Sequence, residues 1–291
     1  VDLSRKNKLF HRDRFPLAIV RMDPQPPITP HSHDFWELVV ITGGQGTHVS
    51  GRSTFQLSEG DVFVISEFQW HNYTDMKDLC LINILFDSHA LNLNQWGISS
   101  LPGYQALFTL EPNWRKSRQY RNRLHISGRD LSSAIAMIDQ LDNELIRREP
   151  GFQSIAASTF MQLVVYLSRR YQQSPLPDTH ALLRLGGAIA HLEQLQNEPV
   201  SLDDLAHIAH MSKRNFLRAF KKATGTSPIK HLLRRRITRA AADLRQKGQN
   251  ITQIAFDHGF NDSNYFSRQF HQVMGMSPRE YQKQFQSLAT R

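Results

Sequence analysis

The chain has 291 residues, 40% hydrophobic and 21% charged, with a formal net charge of +9 and a single cysteine. That is a globular composition with room for two ordinary domains. The lone Cys80 excludes an intrachain disulfide and a cysteine-rich zinc module, and no apolar run approaches the length needed to span a bilayer.

Residues 1–14 are polar and basic without a signal-peptide core, so the cytoplasm is the expected location. Residues 16–87 read as β-structure, since runs such as 38–42 and 62–66 are rich in β-branched and aromatic residues. Glycine-containing turns are expected at 43–46, 50–52 and 59–61. Short strands at this spacing predict a sandwich or barrel, with Cys80 a small apolar strand residue. Residues 88–128 show no usable period, and the basic stretch 115–129 reads as a solvated face. Two helices follow, over 130–148 and 155–171, separated by Pro150-Gly151. They can pack on the barrel, pair with a second subunit, or both. Residues 172–179 (QQSPLPDT) are polar and carry two prolines, as an interdomain linker does.

The C-terminal part is helical by period. A first helix is predicted over 180–196, with Leu182, Leu185, Ile189, Leu192 and Leu195 on one face. Ser201 caps the next, where Leu202, Leu205, Ala206 and Ala209 form a buried stripe. After a turn at His210-Met211, Ser212 caps a helix that buries Phe216, Leu217, Phe220 and Ala223, and Gly225 stops it. Ser227-Pro228 opens a long helix with Leu233, Ile237, Ala240, Ala241 and Leu244 inward, ended at Lys247-Gly248. The pattern then repeats. Thr252 is the expected cap of a short helix, Asp262 caps one with Phe266, Phe270 and Val273 inward, Gly275 stops it, and Ser277-Pro278 opens the last. Phe216, Phe220, Gly225, Ser227 and Pro228 recur fifty residues later as Phe266, Phe270, Gly275, Ser277 and Pro278.

Two short helices joined by a turn, used twice, are the layout of two helix-turn-helix modules, at 201–224 and 251–274. Charge supports that reading. Residues 1–179 hold 18 basic and 18 acidic groups, whereas 180–291 hold 17 basic and 8 acidic, so the whole excess sits in the helical part. A basic domain beside a neutral one points to a polyanion for one domain only. The connecting helix, about 18 residues long, rises roughly 27 Å, near the ~34 Å repeat of B-DNA. The outward residues of the first reading helix are Lys213, Arg214, Asn215, Arg218, Lys221 and Lys222; those of the second include Ser263, Asn264, Ser267, Arg268 and Gln269. Arginine can grip guanine bidentately and Asn or Gln adenine, while lysines anchor phosphates. Arg234, Arg235 and Arg236 fan around the linking helix, so at most two face DNA.

In these residues, over about 182–285, the chain resembles the AraC/XylS family of bacterial transcription regulators. The match includes Leu205-Ala206, Ser212, Arg236, Ala240, Ile254-Ala255, Gly259-Phe260, Asp262 and Ser277-Pro278-Arg279. The N-terminal part is similar to that family's sensory cupin, through His31-x-His33-x3-Glu37-x6-Gly44, Gly60-Asp61 and His71. Within the family the likeness is nearest to L-rhamnose-responsive activators, through His31-Ser-His33-Asp34-Phe35, Glu37-Leu38-Val39, Gly46-x-His48-Val49, Leu79-x3-Asn83 and Asp262-Ser263-Asn264-Tyr265-Phe266-Ser267. The resemblance implies a homodimer on two half-sites, paired through 130–171, and double-stranded promoter DNA as partner. RNA polymerase is a further expected partner, through Asp257 or Asp262; each also reads as a helix cap or a surface charge.

The expected fold is therefore α+β in two domains: a cupin-like β-barrel with two helices (1–172), a linker (173–180), and an all-α DNA-binding domain (181–291). The expected function is a ligand-responsive activator of sugar catabolism that senses a monosaccharide, L-rhamnose by resemblance. His31, His33, Trp36, Glu37, Trp70 and His71 are its candidate ligand-binding residues. Imidazole, carboxylate and amide groups hydrogen-bond hydroxyls, and tryptophan covers an apolar sugar face. His31, His33, Glu37 and His71 also have the spacing of cupin metal ligands, which leaves open a metal-dependent cupin enzyme fused to DNA-binding helices. The stretch Ser66-Glu67-Phe68-Gln69-Trp70 departs from the Pro-x-Gly of that enzyme pattern, so no catalytic residue, cofactor or metal is assigned. Each histidine also has a plain reading as a hydrogen-bonded core residue. A sensor of another small molecule, or a repressor, is the alternative within regulation.

Overall fold

The computed structural model describes residues 10, 15–51, 53–91, 93, 97–114, 123–173, 177–195, 197–245 and 250–288. They form two compact units, Val1–Ala190 and His191–Arg291.

The first unit is built on six antiparallel strands: β1 (Leu17–Met22), β2 (Trp36–Ser50), β3 (Ser53–Ser58), β4 (Asp61–Ile65), β5 (Asn72–Phe86) and β6 (Leu124–His125). Their order is β1-β5-β2-β4-β6, with β3 hairpinned onto the far half of β2. The fold is the expected cupin-like one. Buried residues on both faces explain the unbroken apolar run of β2: Val39 and Ile41 join Phe63, Ile65, Tyr73 and Leu81 in one cluster, while Leu38 and Val40 are fully buried too.

The turn expected at 43–46 is absent. β2 runs straight through it, and the register against β5 shifts between Ile41 and Thr47. Gly44 has φ +69, and a Cβ there would strike the Asp78 carbonyl, so these glycines make a bulge rather than a reversal.

Residues 88–128, unplaced by period, hold helix. Residues 102–114 form one helical run with a π-helical stretch at Gln105–Leu110, whose changed step conceals the apolar repeat. Of the basic stretch 115–129, residues 115–122 lie outside the described residues, as do 1–9 and 11–14 near the start of the chain.

Helices α1 (Arg129–Arg147) and α2 (Phe152–Gln172) arise as predicted on either side of Pro150-Gly151. α2 lays Phe160 against Phe86 of β5, with ring centroids 5.1 Å apart. α1 is tied to β1 by Arg21, which reaches Asp139 (2.6 Å) and Asp142 (2.9 Å). α3 (Pro177–Gln194) starts inside the expected linker, with residues 174–176 outside the described set. Proline at the first helical position costs no hydrogen bond. Gly186 of α3 approaches the Pro102 carbonyl so closely that a Cβ would lie 2.6 Å from it. The boundary between compact units therefore falls within α3, not at 173–180.

The second unit holds the two predicted modules. The first is α4 (Leu202–Ile208) and α5 (Lys213–Thr224); α6 (Pro228–Leu244) connects; the second is α7 (Ile251–Asp257) and α8 (Ser263–Met274); α9 (Pro278–Leu288) follows. Ser201, Ser212, Ser227 and Asp262 cap as expected, each accepting a hydrogen bond from a backbone amide two or three residues on. α7 differs. Asn250, not Thr252, is its cap, and the Asn250 side chain accepts from the Thr252 amide (2.8 Å). Asparagine one step earlier leaves threonine inside the first turn. On α6, Leu232 is the buried residue and Leu233 only packs the edge of the second core. The expected stop at Lys247-Gly248 lies outside the described residues.

Candidate functional site

The first candidate site is a cavity inside the β-structure, lined by Val20, Met22, Gln25, Ile28, His31, His33, Phe35, Glu37, His71, Tyr73, Asn83 and Leu85. β2 begins here, and side-chain alternation turns Phe35 and Glu37 to the same side. His31 and His71 face each other across an isolated antiparallel bridge, with rings 4.3 Å apart. The space inside admits a water-sized centre over only about 20 Å³, room for one or so waters. A molecule larger than that enters only if the lining parts.

Glu37 is 4% exposed and is the electrostatic centre of the cavity. Its Oε2 lies 2.9 Å from His33 Nε2 and 3.6 Å from His71 Nε2. Burial alone raises a carboxyl, but the hydrogen bond from His33 and the nearby imidazoles outweigh it and hold Glu37 below its ordinary range. Burial pushes His71 down to about 4 against the attraction of Glu37, so it is neutral at pH 7.

Four of the six sequence-predicted ligand residues, His31, His33, Glu37 and His71, line the cavity. The two tryptophans do not. Trp36 stands between Phe35 and Glu37 on an alternating strand, faces the other way, and meets Phe86 (6.3 Å). Trp70 is 61% exposed. Aromatic surface in the cavity comes instead from Phe35 and Tyr73. Gln25 and Asn83, not among the residues expected from spacing, also line the cavity. Asn83 is 7% exposed, and its Oδ1 has no hydrogen-bond partner among the described residues. A lone amide inside the apolar run Leu79-Cys-Leu-Ile-Asn83-Ile-Leu was the signal for it.

The second candidate site is the outer face of the two reading helices. Lys213, Arg214, Asn215, Arg218, Lys221 and Lys222 are all exposed on α5. Lys213 pairs with Asp203 (2.9 Å), and Arg218 donates to Asn215 Oδ1 (3.4 Å), which holds both near the helix surface. On α8, Asn264 and Arg268 are exposed, whereas Ser263, Ser267 and Gln269 are half-buried. The Ser267 hydroxyl donates back to the Ser263 carbonyl (2.9 Å).

The arginine triplet divides as its fan requires. Arg234 is exposed. Arg235 pairs with Glu193 and donates to the Leu192 carbonyl (2.8 Å). Arg236 donates to the carbonyls of Gly259 (3.0 Å) and Glu198 (2.9 Å), which locks the second turn onto α6.

Comparison with known proteins identifies the two domains that carry these sites. The profile of an AraC-like ligand binding domain matches residues 17–164, and that of a helix-turn-helix domain matches 205–284. The HTH-type transcriptional activator RhaR of Escherichia coli (strain K12) is 31% identical over 277 residues, covering 95% of this chain and 94% of that protein. RhaR of Shigella flexneri is similar to the same degree. Among solved structures, a transcriptional regulator from Chromobacterium violaceum with an AraC-type DNA-binding domain is 34% identical; it covers 35% of this chain and 91% of its own, with a TM-score of 0.33. No described helix is long and apolar enough to cross a membrane.

Proposed function

The chain belongs to the AraC family of transcription regulators, and from that premise we propose that it is a ligand-responsive activator of sugar catabolism that works in the cytoplasm. Residues 1–172 sense a neutral monosaccharide, and 181–291 bind promoter DNA through α5 and α8. The DNA contacts are Lys213, Arg214, Asn215, Arg218, Lys221 and Lys222 from α5, with Ser263, Asn264, Ser267, Arg268 and Gln269 from α8. End-to-end similarity to a named activator supports the sign of regulation.

The single observation that carries the sensing role is the mixed lining of the cavity. Glu37, Asn83, Gln25 and the histidines offer groups that match hydroxyls; Val20, Ile28, Phe35 and Leu85 offer an apolar wall. A deoxy-sugar such as L-rhamnose has both characters, hydroxyls on one part and a methyl on another. The resemblance to rhamnose-responsive activators singles it out. Because the free space in the cavity is too small for a sugar, binding favours an arrangement in which the lining has parted over this one, which is the differential affinity that switching needs.

Homodimer formation through α1 and α2 is supported by Ile146 and Ile155, which stand 72% and 42% exposed. Contact with RNA polymerase is assigned to the second module near Asp257 and Asp262.

The test is thermal unfolding of the full chain against a panel of neutral sugars. A rise in Tm with L-rhamnose alone, worth about 2.7 kcal/mol at a hundred times Kd, supports the whole reading. A rise with a different sugar reassigns the effector. No rise with any sugar ends the monosaccharide claim.

A further inference from the structure

We propose that a cleft beside α6, within the helical unit, binds a phosphate group through Arg239, with Arg235 and Arg236 around it. Its walls include Arg235, Arg236, Arg239 and Asp243 of α6, and Asp257 and His258 at the end of α7. It admits water-sized centres over about 300 Å³, which reaches the size of a small-ligand pocket. Arg239 stands four residues after Arg235 and three after Arg236, spacings that bring side chains together on one helix face.

The charges gathered there are poorly compensated. Arg235 pairs with Glu193. Arg236 spends Nη1 and Nη2 on the Gly259 and Glu198 carbonyls, which are neutral acceptors, and its Nε is buried without a partner among the described residues. Arg239 is half-buried and has neither a hydrogen bond nor an ion pair among the described residues. The carboxylates that line the cleft have partners of their own. Asp243 Oδ2 meets His258 Nε2 (2.8 Å), and the exposed Asp257 accepts from the Gln253 amide (2.8 Å). Burial pushes Arg235 down to about 10 against the attraction of Glu193, and the like charge of Arg239 adds to the fall. Burial lowers Arg236 too. Cations drawn out of water in this way cost free energy until an anion joins them.

The donor geometry selects phosphate. Guanidinium is a planar fork that fits phosphate oxygens in pairs. Three forks outnumber the two oxygens of a carboxylate and match the three free oxygens of a phosphate monoester. Leu195 and Asn197 bound the rest of the cleft, an apolar contact and an amide for the organic part of a small ester. Free metabolites and the DNA backbone both carry such a group. None of the DNA contacts assigned to α5 and α8 lines the cleft, so the free source is expected. The site stands whatever the β-domain senses.

The test titrates inorganic phosphate into the ¹⁵N-labelled full chain at constant ionic strength, with chloride as the reference anion, and follows the arginine Nε–H signals and the heat of binding. One site per chain is expected, with the Arg239 signal moving to saturation. Arg239→Gln, which breaks no bond of the fold, should weaken binding more than about 10-fold. Arg234→Gln removes the same charge from an exposed position on α6 and should leave binding unchanged. A mixed-sequence duplex tells the two sources apart. Phosphate that stays bound beside the duplex, with the salt slope of DNA binding unaltered in Arg239→Gln, identifies a free ligand. Phosphate displaced by the duplex, with a slope reduced by about 1 in that variant, identifies the DNA backbone. An Arg239 signal that stays still or drifts without saturating, or equal losses in the two variants, would overturn the proposal and leave only general attraction to a basic surface.

Discussion

In the first module α5 presents Lys213, Arg214, Asn215, Arg218, Lys221 and Lys222 to solvent; in the second, α8 presents Asn264, Arg268 and His271, with Ser263, Ser267 and Gln269 half-sunk beside them. Beneath these faces the two modules are nearly interchangeable. Phe216 and Phe220 pack with ring centroids 5.6 Å apart, Phe266 and Phe270 at 5.5 Å, and all four are fully buried. Gly225 and Gly275 end the helices at φ 74 and 77. The repeat has therefore kept its packing and changed its chemistry. A face with five cations supplies non-specific grip, whereas a face of amides, hydroxyls and one arginine supplies little charge and relatively more base readout.

The largest expected effect tests whether the cores really are equivalent. Phe216→Ala and Phe266→Ala should each cost about 3–5 kcal/mol in urea unfolding. Costs that differ by more than the spread within that range would break the comparison, because one module would then depend on support the other lacks.

DNA binding sharpens it next. Arg218→Ala should cost about 1–3 kcal/mol and relax preference at one base pair, and Asn264→Ala should do the same at a base in the other half of the site. Only the first module should govern salt. Lys221→Ala should weaken binding alike on every sequence and reduce the salt slope by about 1, while Asn264→Ala leaves the slope unchanged. Electrophoretic or fluorescence titrations at several salt concentrations check both. A slope that falls equally for the two variants would remove the division of labour.

The turns differ too. The first uses His210 at φ 51, the second Gly259 at φ 73. A Cβ on Gly259 would lie 2.9 Å from the Arg236 guanidinium carbon, the group that locks this turn. Gly259→Ala should therefore cost about 1–2 kcal/mol, more if Arg236 is displaced, whereas His210→Gly should be neutral or stabilising by up to about 1 kcal/mol. Thermal unfolding of the two variants reads the contrast directly.

How much of this was legible beforehand depends on which physical rule each element obeys. Helices capped by Ser212, Ser227 or Asp262 and stopped by glycine follow local rules, so sequence places them to within a residue or two. The π-helical stretch within 102–114 does not repeat at 3.6, so its period is invisible. Gly43–Gly46 looks like a turn because glycine marks both turns and bulges, and only pairing with β5 decides between them. In the cavity, spacing identified His31, His33, Glu37 and His71. Trp36 was separable by the same alternation that paired His31 with His33, since it sits next to Glu37. Asn83 and Gln25 come from segments distant in sequence, and only the fold brings them to Glu37.

The smallest difference between the modules lies where each hands over to its next helix. α6 and α9 both start Ser-Pro, and in both the serine hydroxyl accepts from the amide three residues on, Lys230 or Glu280 (3.3 Å each). Only α9 returns the bond: Glu280 Oε2 accepts from the Ser277 amide (2.8 Å) and hydroxyl (2.7 Å). Those bonds, the amide's foremost, hold the Glu280 carboxyl below its ordinary range. A carboxyl with a lowered folded-state pKa stabilises above its unfolded value, and that contribution fades as pH falls through the folded one. Acidification should therefore loosen the start of α9 and spare that of α6. Amide chemical shifts followed by NMR test this: the Ser277 signal should titrate with a midpoint below that of a free glutamate, the Ser227 signal should stay flat over the same range, and Glu280→Gln should flatten the first. A Ser277 signal that titrates at the ordinary glutamate value would mean the reciprocal bond is not held in solution, and the two hand-overs would then be alike.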